Sequence, residues 1–354
     1  MITFRFRILV LSTLFLASAC DKTDKDLPVE LVLKQGRNSL ERGELNEAIR
    51  LLKQATAADP GNSGAWIDLG RAYYRASQFE KAIEVCSRAL RLDSRNADIH
   101  YCLGVGNAKL ERFQEALPFL EKAAALDPDH VDTRYALGAV YFALERREKA
   151  ILQWKKYLQF VPDDPQILFN VGHCHMALKE YSQATEFFKK TLQLDPGNAE
   201  AQHRLGVIYA ESGRFREAEE AFKKTIELEP KVAQAYLDLA MVYVELTQSE
   251  RALATIGTAI GLDPQDADLY YVRGTAYLNM DKPDDAIHSF KEAIRLKPDS
   301  PGPHYHLGVA HTLMKDRESA LGEYGILQSL DASMAEKLMQ EIDRRTERLR
   351  DGKD

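Results

Sequence analysis

A glycine returns every 34 residues along this chain, at Gly36, Gly70, Gly104, Gly138, Gly172, Gly206, Gly274 and Gly308, with Ala240 at the one place the glycine is missing. Twelve residues after each of these nine positions stands an alanine: Ala48, Ala82, Ala116, Ala150, Ala184, Ala218, Ala252, Ala286 and Ala320. The spacing never slips. A fixed period in this range means a stack of like units, because one unit alone has no second surface against which to bury its apolar face. A compact chain of 354 residues would suggest two or three domains, but a stack grows by adding units and escapes that estimate.

With the glycine counted as position 8, the units run 29–62, 63–96, 97–130, 131–164, 165–198, 199–232, 233–266, 267–300 and 301–334. Each holds two helical apolar patterns, A and B, joined by a turn such as Glu41-Arg42-Gly43-Glu44 or Glu211-Ser212-Gly213-Arg214. The small residues at positions 8 and 20 let A and B approach closely; bulk there would overpack the contact by about 1–3 kcal/mol. Tyr73, Tyr141, Tyr209, Tyr243 and Tyr277 fill the space beside position 8, and Phe188, Phe222 and Phe290 fill it from helix B. Pro60, Pro128, Pro162, Pro196, Pro230, Pro264 and Pro298 end the B helices, with Ser94 and Ala332 standing in twice. Asn62, Asn96, Asp164, Asn198, Asp266 and Ser300 fall where helix A needs an N-cap. Pro165 and Pro301 follow at the first helical position, where a missing N–H costs nothing.

This pattern resembles the tetratricopeptide repeat, with its Trp-x2-Leu-Gly-x2-Tyr, Ala-x3-Phe and terminal Pro signature. The second unit carries it in Trp66, Leu69, Gly70, Tyr73, Phe79 and Ala82. The resemblance implies an all-α fold, a right-handed superhelical α-solenoid of nine helix-turn-helix units spanning 29–334. Residues 335–354 are expected to add a C-terminal capping helix and tail. The segment from Asp331 to Arg350 carries that helix's apolar stripe in Met334, Leu338, Met339, Ile342 and Leu349. The first repeat has Val32, Gln35 and Ser39 where Trp, Leu and Tyr are usual, which suits an end unit that frays. Position 27, mostly alanine, becomes Tyr157, Thr191 and Thr225 in repeats four to six, and repeat four adds Trp154. Bulk there is expected to widen the stacking locally.

In tetratricopeptide arrays the face of helix A at positions 2, 5, 9 and 12 lines a groove that binds a protein or peptide. Here position 5 reads Leu33, Ile67, Tyr101, Tyr135, Phe169, His203, Leu237, Tyr271 and Tyr305, and position 12 adds Tyr74, Phe142, Met176, Val244 and Leu278. Arg71, Arg75, Lys109 and Arg204 break this apolar track. Tyrosines of this kind anchor partners well. The same rings would equally serve to pack one A helix on the next, and the sequence leaves both readings open. The Lys and Asn clamp by which some family members hold a C-terminal carboxylate is replaced by Leu33, Arg37, Asp68 and Cys102, which argues against chaperone tails.

The first nineteen residues read as a secretory signal peptide: Arg5 and Arg7, an apolar stretch from Ile8 to Leu16 too short to span a membrane, then Ala17-Ser18-Ala19. Leu16-Ala17-Ser18-Ala19-Cys20 resembles the bacterial lipobox, in which the cysteine becomes the lipidated first residue. Residues 20–28 then form a lipidated cysteine and tether. An ordinary A-x-A cleavage site is the alternative. Asp21 resembles an inner-membrane retention signal, and inner versus outer membrane stays open. Cleavage would take the net charge from −7 to −9 by removing two arginines.

That acidic balance excludes the basic stripe a nucleic-acid binder needs. No Gly-rich phosphate loop, nucleophile elbow or Cys-x2-Cys metal spacing appears, so no enzymatic activity, cofactor or metal is expected. His173 and His175 stand two apart on a helix, and His304 and His311 two turns apart, so both groups read as structural. Cys86, Cys102 and Cys174 read as small buried hydrophobes, with a Cys86–Cys102 bridge as the alternative in an oxidising periplasm. The expected protein is a periplasmic, membrane-anchored lipoprotein that scaffolds a protein partner for envelope assembly, secretion, pilus or polysaccharide export. The alternative is an accessory subunit of an envelope enzyme such as a glycosyltransferase or the cytochrome-maturation machinery. Oligomeric state is not encoded legibly.

Overall fold

A computed structural model describes residues 28–350, with side chains to residue 348. The expected signal peptide, Cys20, the expected tether up to residue 27 and the side chain of Leu349 lie outside the described residues. All the regular structure among the described residues is helical. The chain forms two compact units, Met1–Pro162 and Asp163–Asp354.

The described part of the first unit comprises repeats one to four as four antiparallel pairs: α1 (Val29–Arg42) with α2 (Leu45–Ala58), α3 (Ser63–Arg75) with α4 (Phe79–Leu92), α5 (Ala97–Lys109) with α6 (Phe113–Leu126), and α7 (Val131–Ala143) with α8 (Arg147–Tyr157). The second holds α9 (Pro165–Ala177) with α10 (Tyr181–Leu194), α11 (Ala199–Glu211) with α12 (Phe215–Leu228), α13 (Ala233–Glu245) with α14 (Ser249–Leu262), α15 (Ala267–Asn279) with α16 (Pro283–Leu296), α17 (Pro301–Leu313) with α18 (Arg317–Leu330), and a last helix α19 (Ala332–Arg350). Within each unit every helix packs on the one before it and on the one after it, which is the build of an all-α solenoid.

The period is explained by what fills the space at position 8. A side chain begun at Gly36, Gly104, Gly138, Gly206 or Gly274 would meet Leu52, Leu120, Trp154, Phe222 or Phe290 at 2.4–2.9 Å. Each of those partners sits sixteen residues on, at position 24 of helix B. The glycine is therefore the socket for one large B-helix side chain. Position 20 is equally tight, since all nine alanines are fully buried. In the last repeat the partner changes: Gly308 is met by Leu338 of α19 at 2.4 Å. Leu338 and Ile342 are buried while Met334 and Met339 are half-buried, so α19 covers the open end as a cap.

The turns are set by hydrogen bonds the sequence does not advertise. In every repeat the backbone N–H of position 16 donates to the carbonyl of position 11, as Glu44 to Ser39 and Arg146 to Tyr141 do at 2.8–2.9 Å. Position 15 then takes a positive φ in all nine repeats, yet only Gly43 and Gly213 are glycine there. Five of the six expected N-caps accept a backbone N–H, whereas Ser300 does not. His130 caps α7 instead, its Nδ1 accepting from the Thr133 N–H at 3.1 Å.

Three further departures have physical causes. Cys86 and Cys102 are not simple hydrophobes: they form a disulfide that joins α4 to α5 and lies over Gly70. Cys174 is buried outside any disulfide. The B helix of repeat four ends three residues early, at Tyr157. The other interior repeats bury Ala or Thr at this position, and a phenol ring does not fit that space. Tyr157 stays half-buried and packs on Tyr135, ring centroids 5.6 Å apart. In the first repeat Val32 and Ser39 are buried, while Gln35 is exposed.

Candidate functional site

Position 4 of helix A, the Trp66 position of the signature, is a polar clamp in six of the nine repeats. Its side chain reaches back six residues to the carbonyl that follows the previous B helix. Trp66 Nε1 donates to Pro60 O at 3.0 Å, Arg134 to Pro128 O at 2.7 Å, Tyr236 Oη to Pro230 O at 3.0 Å and Tyr270 Oη to Pro264 O at 3.1 Å. His100 and His304 bond Ser94 O and Pro298 O in the same way, at 3.0 and 2.9 Å. His304 also meets Glu323 at 2.6 Å, and His175 meets Glu180 at 2.5 Å. His100 and His304 thus tie their repeat to the one before it, whereas His175 braces helix and turn within repeat five.

The A-helix face of the first unit contains a cleft of about 710 Å³, lined by α1, α3, α5 and the start of α7. Tyr74, Tyr101, Arg71 and Arg75 line it. Ile67 and Cys102 line the same cleft and are buried, so one half of the disulfide belongs to its lining. Tyr135 stands beside the cleft, 45% exposed, and Phe142 is 36% exposed with its ring 5.7 Å from Trp154. Burial first, then the Asp132 carboxylate, push the Tyr101 hydroxyl well above the ordinary tyrosine range. Burial and the nearby Tyr135 hydroxyl raise Tyr74. The hydroxyls of Tyr74 and Tyr101 are therefore held neutral, and Tyr135 stands close by on the same face.

The charges expected in the groove are mostly engaged. Arg37 Nε meets Asp68 at 2.5 Å, and Arg71 meets Asp98 at 3.0 Å and Asp68 at 3.9 Å. His130 continues the ladder to Asp98 at 3.5 Å and packs at a tilt against Tyr101, centroids 5.1 Å apart. This ladder crosses the first three repeats and reaches the N-cap of α7. Arg75 donates to the carbonyl of Leu40 at the C-terminal end of α1, where a cation also suits the helix dipole. It is a staple between repeats. Lys109 is exposed and does not line the cleft.

In the second unit the same face is more self-contained. Phe169 packs on Phe188 at 5.5 Å, and Met176 joins the same core. His203 bonds Asp238 at 2.7 Å and Arg204 pairs with Glu200 at 3.1 Å. Leu237 is buried among Ala240, Ile256 and Val272, so it is core and not groove surface. Tyr271 and Tyr305 flank His306, centroids 5.4 and 5.1 Å away, and burial lowers the His306 pKa. Among the described residues no group of three or more His, Cys, Asp or Glu is placed to hold a metal ion.

Family models for the tetratricopeptide repeat match residues 39–103, 108–168, 175–224 and 210–274, and a second such model matches 267–300. Among solved structures, YrrB, described as a TPR protein with an unusual peptide-binding site, is 26% identical with a TM-score of 0.50; the match covers 52% of this chain and 95% of that one. MamA is 25% identical at a TM-score of 0.46, covering 48% of this chain and 92% of its own. PilF of Pseudomonas aeruginosa is 21% identical at 0.48, covering 58% and 94%. No curated protein sequence matches the chain.

Proposed function

This chain belongs to the tetratricopeptide repeat family, and from that membership we propose that it is a protein-interaction scaffold whose first unit receives a peptide segment of its partner. The observation that carries this reading is the cleft on α1, α3, α5 and α7: about 710 Å³, walled by tyrosines whose hydroxyls make no hydrogen bond to another described residue. A peptide backbone supplies the donors and acceptors those hydroxyls lack, and the rings supply apolar contact. The likeness to a peptide-binding repeat protein supports the same reading. Affinity capture with wild type and with the Tyr74→Ala/Tyr135→Ala variant tests it. Both rings are at least partly exposed, so helicity stays near wild type and one retained partner is lost. Equal retention by a folded variant would sink the groove reading.

The scaffold is proposed to work at the periplasmic face of a bacterial membrane, in envelope assembly, secretion, pilus or polysaccharide export. Cys20 after Leu16-Ala17-Ser18-Ala19 supports lipid attachment, and a Cys86–Cys102 disulfide suits an oxidising compartment. Acyl chains would anchor it by burying methylenes at ~0.8 kcal/mol each. Cys20→Ser is expected to move the protein from the membrane fraction to the soluble fraction, or to leave it unprocessed. A processed Cys20→Ser protein that stays in the membrane would refute the anchor.

A further inference from the structure

The charges that line the cleft of the first unit are not equally available to a partner. Arg37 and Arg71 are tied into the ladder with Asp68 and Asp98, and Arg75 is tied to the Leu40 carbonyl. An incoming carboxylate would have to break one of these contacts and would then face Asp98 and Asp132. Asp132, by contrast, is exposed in the first turn of α7 and makes no hydrogen bond or ion pair with another described residue. It lines the cleft and lies close enough to Tyr101 to act on its hydroxyl. Glu41, at the other end of the cleft, is likewise exposed and unpaired. The free charge of the site is therefore negative, and it is bordered by aromatic rings.

We propose that this cleft selects a basic side chain, lysine or arginine, carried by the bound peptide segment, with Asp132 as its counter-ion, Tyr74 and Tyr101 as its walls and Tyr135 beside its rim. The inference rests on the peptide-binding reading above and adds the chemistry of the occupant. Ring faces attract a cation, and the attraction grows as the cation loses water in the cleft. The carboxylate adds a charge-assisted hydrogen bond. A neutral or acidic side chain gains neither. The chain's overall charge of −7 draws a positively charged partner from further away.

Fluorescence anisotropy with twelve-residue probe peptides tests this on the full mature chain. The peptides share one Gly/Ser/Leu frame and differ at a single central position: Lys, Arg, Met or Glu. The Lys or Arg peptide is expected to bind about tenfold more tightly than the Met or Glu peptide, the combined size of one cation–π contact and one charged hydrogen bond. Asp132→Asn, which keeps shape and removes charge, should erase that difference, and Lys109→Ala should leave it intact. Added salt should narrow the gap. A preference for Glu, no preference, or a Lys preference that survives Asp132→Asn would each overturn the proposal. Binding of none of the peptides would overturn it too, while the scaffold reading would still stand or fall on the capture of its partner.

Discussion

Phe222→Ala is expected to cost about 3–5 kcal/mol of unfolding free energy, the range for removing a fully buried phenyl ring. Phe222 is 1% exposed and occupies the socket over Gly206, where an added Cβ would lie 2.6 Å from the ring. The two residues should therefore couple. Gly206→Ala alone is expected to cost about 1–3 kcal/mol by overpacking. In the Phe222→Ala background the same methyl group enters the vacated space and should cost little or restore some stability. A double-mutant cycle by urea unfolding reads this directly. Strict additivity would show that Gly206 does not serve as the socket for Phe222.

The second large effect is expected at the disulfide. Reduction of Cys86–Cys102 should remove about 3 kcal/mol, because the bridge closes a loop of 16 residues' separation and so constrains the unfolded chain. The loss should be confined to repeats one to four, where the bridge ties α4 to α5. It should appear as a shift in urea midpoint on adding reductant. A Cys86→Ala/Cys102→Ala variant should start from the reduced stability and ignore the reductant. A wild-type midpoint that does not move would mean the bridge contributes nothing to the fold. Ring positions in the cleft should move on reduction as well, since Cys102 is part of its lining.

Much of this molecule is legible in its sequence, for a physical reason. Positions 8, 20 and 24 meet in one contact that recurs along the stack and changes partner in the last repeat, so the same side-chain sizes recur at a fixed interval. The helix boundaries follow from that register. What escapes the sequence depends on which of two partners a side chain chooses. Trp66, His100, Arg134, Tyr236, Tyr270 and His304 share no chemical class, so their common role as donors to a carbonyl six residues back is invisible until the backbone is in place. Arg71 and Arg75 read equally well as groove charges and as structural ties. Only the positions of Asp98 and the Leu40 carbonyl decide between the two. The cysteines were ambiguous for the same reason, because sixteen residues' separation puts two positions on adjacent helices without saying that their sulfurs meet.

The aromatic stripe of the A helices divides along similar lines. Leu33, Ile67 and Leu237 are buried at 8%, 6% and 4%, so those members of the position-5 series are core. Tyr101 is half-buried and Tyr135 is 45% exposed, so these two present rings that no neighbour fully covers. One register therefore serves packing in some repeats and surface in others. The size of the residue at position 27 of the neighbouring B helix decides part of that outcome, as Tyr157 beside Tyr135 illustrates.

The most direct test of the central claim is site-specific photocrosslinking in the intact protein, with a benzophenone amino acid placed at Tyr135 beside the cleft and, separately, at Glu84 on the exposed side of α4. The account predicts that the partner crosslinks from position 135 and not from position 84, and that the adduct disappears when Tyr74 is replaced with alanine. A partner that crosslinks from position 84 and never from position 135 would place recognition on the B helices and contradict it.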